Sequence, residues 1–185
     1  MNCTSCKNGA LRPSFIDGLF RAHTCTNCGG NWILVEDFVS WKEKHPEHQF
    51  SKPSEWSEDD AIDTAGAMLC PVSGTIMRKF RVTAKTSHRI DYSNAVGGIW
   101  LDKGEWELLK SEGIAGTLNN VVTQHWQNNV REQSASNNFA EIYESKFGKE
   151  SYEKAKEIRE WLNSQSQKAD LRAYILAENP YSASE

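Results

Sequence analysis

Two stretches, Cys3-Thr4-Ser5-Cys6 and Cys25-Thr26-Asn27-Cys28-Gly29-Gly30-Asn31-Trp32, decide how this chain is read. The two-residue gap inside each Cys-x2-Cys pair lets both sulfurs turn inward on one tight knuckle. The interval between the pairs is long enough for a strand, a turn and a return strand, which would bring the knuckles together. Four thiolates then suit one tetrahedral Zn(II), with Zn–S bonds of about 2.3 Å and no position left for water, so the ion would be structural. A segment this short buries little core. Structural zinc contributes on the order of 10–16 kcal/mol of apparent binding free energy in small peptides, so metal binding and folding are expected to be one event. An iron–sulfur cluster also takes four cysteines, whereas a thioredoxin-like site needs one Cys-x-x-Cys near a βαβ pattern. Disulfides fit poorly, because the five cysteines are an odd number and the N-terminus does not read as a secretory signal. His23 reads as a surface strand residue.

A second copy of the pattern follows. Cys70-x2-Ser73 leads to Ser93-x2-Val96-Gly97-Gly98-Ile99-Trp100-Leu101, matching the order of knuckles and the Gly-Gly-x-Trp of the first copy. Each core runs into an acidic, aromatic helical start, Glu36-Asp37-Phe38 in one and Asp102-Lys103-Gly104-Glu105-Trp106 in the other. Two copies of one supersecondary unit are expected. One thiolate cannot hold zinc, so the second is expected to be metal-free. Its core would be Ile76, Met77, Phe80, Val82, Ile90, Tyr92, Ile99, Trp100 and Leu101, with Cys70 a buried small hydrophobe. Phe80 and Val82 alternate with Lys79 and Arg81, as in a half-buried strand. Asp102 and Glu105 have capping-box spacing.

These residues resemble a bacterial zinc-finger family named after the ribbon of transcription factor TFIIB. In that family a Cys-Pro-x-Cys knuckle precedes a Cys-x-Gly-x-Trp-Leu-Asp-x-Gly-Glu string. Here Thr4 stands where the first knuckle would carry Pro, while the second copy keeps Cys70-Pro71 and the string Trp100-Leu101-Asp102-Lys103-Gly104-Glu105. The resemblance covers residues 1–41 and 68–109. It implies a zinc ribbon with Cys3, Cys6, Cys25 and Cys28 as ligands, and little about function, because ribbons serve nucleic-acid and protein partners alike.

The rest of the chain fixes the organisation. Residues 46–66 carry six acidic side chains and one basic, Lys52, which reads as an acidic linker. Beyond Gly116 the pattern turns helical: Leu118, Val121, Val122, His125 and Trp126 fall at helical spacing, Phe147-Gly148 reads as a stop, and further amphipathic stretches end at Asn179-Pro180. The expected class is α+β: a zinc ribbon over 1–45, the linker over 46–66, a metal-free ribbon-like repeat over 67–112 and a helical region over 113–185.

Charge bears on function. With 21 basic and 25 acidic side chains, the formal charge of −4 argues against wholesale coating of DNA. Between Pro71 and Ile90, however, stand Arg78, Lys79, Arg81, Lys85 and Arg89 with no acidic residue. On a hairpin, alternate members would share a face, with Phe80 or Tyr92 near enough to stack on bases. The acidic linker could fold onto this patch. No Gly-rich phosphate loop, His-Glu-x-x-His or Gly-x-Ser-x-Gly occurs. His45 and His48 lack further ligands, and Glu105 and Glu107 read as capping or solvated groups. The expectation is therefore a cytoplasmic, bacterial, non-enzymatic protein with one zinc per chain, associated with nucleic acid or transcription. The alternative is a protein–protein adaptor without nucleic-acid contact. Neither a membrane association nor a small-molecule substrate is expected.

Overall fold

The computed structural model describes residues 1–181, apart from the side chain of Glu58. The chain follows one course twice. Strands β1 (Leu11–Ile16), β2 (Phe20–Cys25) and β3 (Asn31–Leu34) lead into helix α1 (Val35–Lys44). Strands β4 (Arg78–Arg81), β5 (Arg89–Ser93) and β6 (Gly98–Leu101) lead into helix α2 (Glu105–Ser111). The β1–β2 hairpin turns at Asp17-Gly18, where both residues take left-handed backbone (φ 46° and 72°), the conformation that suits the twist of a tight hairpin.

The two halves share one antiparallel sheet in the order β1-β2-β3-β6-β5-β4. The seam is the pairing of β3 with β6, which sets Trp32 opposite Trp100 and Ile33 opposite Ile99. Because successive side chains of a strand face opposite ways, the seam feeds two cores. On one face Ile33 and Ile99 join Ile16, Phe20, Phe80 and Ile90, and are covered by Phe38 of α1 and by Trp106 and Leu109 of α2. On the other face Trp32 and Trp100 join Leu11, Met68, Met77 and three cysteines. Two glycines make the seam possible. A Cβ on Gly98 would lie 2.1 Å from the Trp32 ring, and one on Gly30 would lie 2.4 Å from the Trp100 ring. Each Gly-Gly-x-Trp thus supplies the glycine on which the other copy's tryptophan rests.

The second half has no four-cysteine set, and its core is apolar. Val82, Ile90, Ile99, Trp100 and Leu101 are fully buried, and each fully buried aliphatic side chain contributes about 1.5–3 kcal/mol. Ile76, expected in that core, is instead exposed: it sits on a single bridge to Leu69 outside the strands and points away from Met77. The capping box is half formed. The Glu105 carboxylate accepts the Asp102 N–H at 2.7 Å, but the Asp102 side chain accepts from Trp100 Nε1 and Thr64 N–H, both at 2.8 Å, instead of capping the helix.

Residues 46–66 dock on the second half. Ile62 N–H donates to the Lys103 carbonyl at 2.9 Å, and Lys79 Nζ donates to the Thr64 carbonyl at 2.5 Å. Gly104 takes left-handed backbone, and a Cβ there would lie 2.7 Å from the Asp60 carbonyl oxygen, so the linker runs against bare backbone.

The apolar spacing from Leu118 to Trp126 belongs to two helices. The short α3 (Leu118–Val121) ends before α4 (Gln124–Phe147) begins. Thr123 stands between them, and its hydroxyl accepts the Trp126 N–H at 3.2 Å, an N-cap bond that starts α4. Leu118 and Val121 are buried, while His125 is exposed.

By compactness the chain divides into Met1–Ser134 and Ala135–Glu185. The second unit holds the end of α4, closed at Gly148 with φ 76°, and helices α5 (Lys149–Ser164) and α6 (Lys168–Leu176). No helix of the described residues is long and apolar enough to cross a membrane.

Candidate metal centre

The four N-terminal cysteines converge. Cys3 and Cys6 come from the loop before β1, Cys25 closes β2, and Cys28 sits in the turn into β3. All four sulfurs lie within 4.8 Å of one another. Cys3 and Cys28 sulfurs are 3.6 Å apart, and Cys6 and Cys25 sulfurs 3.7 Å. Those separations suit the edge of a tetrahedron with metal–sulfur bonds of about 2.3 Å, an edge of about 3.8 Å. All five cysteines of the chain are free thiols.

Backbone groups build each knuckle. Asn27 and Cys28 N–H groups donate to Cys25 Sγ at 3.4 and 3.5 Å, and Gly29 N–H donates to the Cys25 carbonyl at 3.1 Å. In the other knuckle, Cys3 N–H donates to the Gly9 carbonyl at 2.8 Å. Gly9 was not singled out in the sequence, although Cys6-Lys7-Asn8-Gly9 carries its signal. A Cβ there would lie 2.3 Å from Cys25 Sγ, so backbone must pass against the sulfur. Asn27 was missed too; its side chain serves Cys6.

The thiols are unequal. Burial pushes Cys3 up to about 12 and also raises Cys28. The Asn27 side-chain hydrogen bond, against burial, draws Cys6 down to about 6. A divalent cation is the group that lets such crowded thiols ionise together, since thiolate is the ligand form. Cys3, Cys6, Cys25 and Cys28 therefore fit zinc in number, chemistry and spacing. His23 lies on β2 between Pro13 and Trp32 in register and takes no part in the cluster.

The matching positions of the second half keep the backbone turns and one of the four sulfurs, that of Cys70. Ser73 N–H donates to Cys70 Sγ at 3.4 Å. Gly74 N–H donates to the Cys70 carbonyl and Gly97 N–H to the Ser93 carbonyl, both at 2.9 Å. Burial raises the Cys70 thiol, but hydrogen bonds from Ser73 and Ser93 outweigh it and leave the group below its ordinary value.

The five cations of the β4–β5 hairpin are divided. Lys79 and Arg81 share one face with Asp91 and Arg89, whereas Arg78 shares the other with Phe80 and Tyr92. Lys79 pairs with Asp91 at 2.8 Å and lies 3.8 Å from linker Asp63. Arg81 donates to the Thr86 carbonyl and to Ser134 Oγ, both at 2.8 Å. Phe80 is in the core, so no base can stack on it; the Arg78 guanidinium lies 5.5 Å from the ring centre. Arg78, Lys85 and Arg89 remain exposed. His45 and His48 both lie against the Trp41 ring, with centres 5.0 Å away.

Comparison with known proteins agrees with the geometry. Residues 2–44 match the family model of the transcription factor zinc-finger, the TFIIB zinc ribbon. That span holds all four converging cysteines, β1 to β3 and α1. The N-terminal segment is thus similar to a zinc ribbon, with its four cysteines close together. No curated protein and no solved structure matches the chain.

Proposed function

We propose that this is a non-enzymatic binding protein, bacterial and cytoplasmic, in which one zinc per chain rigidifies a sheet and a protein partner is held by the helices of residues 135–181. Four thiolates leave zinc no position for an activated water, so the ion shapes the chain. The second half is read as a degenerate ribbon that keeps both knuckle turns and has replaced the metal with apolar burial.

One observation carries the choice of partner. Helices α5 and α6 contain no buried residue, yet Phe139, Tyr143, Phe147, Ile158, Trp161, Tyr174 and Leu176 stand exposed on the second unit. Exposed aromatic and aliphatic side chains at this density favour a protein interface. Nucleic-acid binding is the second reading, supported by exposed Arg78, Lys85 and Arg89 and by the description of the matched zinc-finger family.

A pull-down with and without nuclease separates them. On the first reading, the captured protein survives nuclease and resists salt. On the second, capture is lost with nuclease and falls steeply with salt. Deleting residues 54–63, which lifts Asp63 from Lys79, would then strengthen binding to nucleic-acid probes; unchanged affinity rejects masking by the linker.

A further inference from the structure

Residues 60–64 of the linker lie as a strap across the second half, and carboxyl groups crowd beneath it. Ile62 N–H donates to the Lys103 carbonyl at 2.9 Å. Thr64 N–H donates to Asp102 Oδ2 at 2.8 Å, and the Thr64 carbonyl accepts from Lys79 Nζ at 2.5 Å. The Thr64 hydroxyl lies 3.2 Å from that of Ser5, which stands between the two cysteines of the first knuckle. Asp60 and Ala61 run against the bare backbone of Gly104. The strap is thus held by β4, the turn into α2 and the first knuckle, largely through polar groups.

Charge beneath the strap is unbalanced. Asp91, Asp102 and Glu105 are 2%, 4% and 1% exposed, and the strap itself adds Asp63. Lys79 answers two of the four, at 2.8 Å from Asp91 and 3.8 Å from Asp63; among the described residues Asp102 and Glu105 have no ion pair. The Asp102 carboxylate accepts from Trp100 Nε1 and from Thr64 N–H, and Glu105 Oε2 accepts the Asp102 N–H. Asp91 Oδ1 and Glu105 Oε1 are buried without a hydrogen-bond partner. Charge on such an oxygen is costly, and a carboxyl that takes a proton sheds it. The neighbouring charged and titratable groups are Lys103 on the Asp102–Glu105 turn, Asp59 and Asp60 on the strap side, Arg81 and Arg89 two residues along the sheet, and the Cys70 thiol beside Ser93.

We propose that the strap is a proton-gated clamp: residues 60–64 close over these carboxyls with uptake of a proton and open as pH rises. Closing shields Asp91 and Glu105 from water and brings the Asp63 charge to them, and both changes favour the neutral acid. Burial, with the charges of Asp102 and Asp63, raises Glu105, and burial raises Asp91 to about 6. A carboxyl raised in the closed state keeps its proton longer there than in the open one. Closure is therefore complete at low pH and is lost as pH climbs through the closed-state value. The proton comes from solvent and returns to it. Opening frees the Lys79 ammonium and parts Thr64 from Ser5, so the clamp also governs one tie between the second half and the first knuckle.

The test is amide hydrogen exchange on the zinc-loaded full chain, corrected for the intrinsic rates, across the neutral and mildly alkaline range. Protection of the Ile62 and Thr64 amides should fall with rising pH by at least about tenfold, the effect of about one pKa unit. Ile99 and Leu101 of β6 should stay protected throughout. Glu105→Gln should flatten the fall, because an amide has no such proton to lose. Asp63→Asn should make the fall smaller, because closure then brings no charge to the buried carboxyls. Asp63 is partly exposed, so this variant reads the clamp even where Glu105→Gln disturbs folding. The proposal is overturned if Ile62 and Thr64 keep constant protection in the parent, if β6 loses protection together with the strap, or if both variants show the parent's fall.

Discussion

The two halves of the sheet solve one folding problem by different means. In the first, Cys3, Cys6, Cys25 and Cys28 gather their sulfurs within 4.8 Å, and an ion can tie two turns together. In the second, Gly74 and Gly97 close the same turns by backbone bonds of 2.9 Å, with one sulfur left. Its strands carry fully buried Ile90, Ile99 and Leu101. The difference teaches that a knuckle is first a backbone turn: its amide-to-carbonyl bond forms whether or not a metal waits. What the metal adds is the link between turns, which apolar side chains can replace when a second sheet half and a helix are at hand.

Removing the metal tests this most strongly. Cys25→Ser, or chelation, should unfold the first half, at a cost on the order of 10 kcal/mol. Because β3 pairs with β6, the loss should reach Trp100. Tryptophan fluorescence and amide exchange across Ile99–Leu101 would show it, and a protected β6 in the chelated protein would mean that the halves fold independently. In the opposite direction, Ser73→Cys with Ser93→Cys and Val96→Cys should raise zinc content from one ion to two and raise the unfolding midpoint. A stoichiometry held at one would show that the second set of turns no longer converges.

The seam comes next. Gly98→Ala drives a Cβ into the Trp32 ring and Gly30→Ala drives one into the Trp100 ring, each costing roughly 1–3 kcal/mol as overpacking. Near-equal losses in urea unfolding would confirm that the halves are equivalent at the seam; a large gap between the two values would break the comparison there.

The smallest of these effects is a pH dependence of the second half. Burial raises the Asp91 carboxyl to about 6, against the pull of Lys79. A carboxyl raised in the folded state binds its proton longer there than in the unfolded chain. Stability contributed by this group therefore falls as pH rises from about 4 to about 6. Burial raises Glu105 in the same direction. The difference in urea midpoint between the parent and Asp91→Asn should change across that window, and a constant difference would remove Asp91 as the source.

Much of this was legible in one dimension. Four cysteines at knuckle spacing name their own chemistry, because ligand geometry is a local property of short turns. Gly-Gly-x-Trp in two places signalled the repeat, and Gly148 ended α4 as its backbone freedom requires. Other readings needed partners far along the chain. Ile76 was expected inside on hydropathy, yet the Leu69 bridge turns it outward. Phe80 suited both the core and a stacking surface on spacing alone, and its strand faces it into the core. Arg81, read as a surface cation, spends its charge on the Thr86 carbonyl and Ser134.

The sequence by itself determined that four cysteines gather at one place and that the chain ends in helices, since each rests on residues close in the chain. Only the tertiary structure decided that the two halves share one sheet through Trp32 and Trp100. It also decided that the acidic stretch lies docked by Ile62 and Thr64. Those outcomes depend on which strand edges and faces meet, and no spacing in the chain encodes the choice until both surfaces have folded.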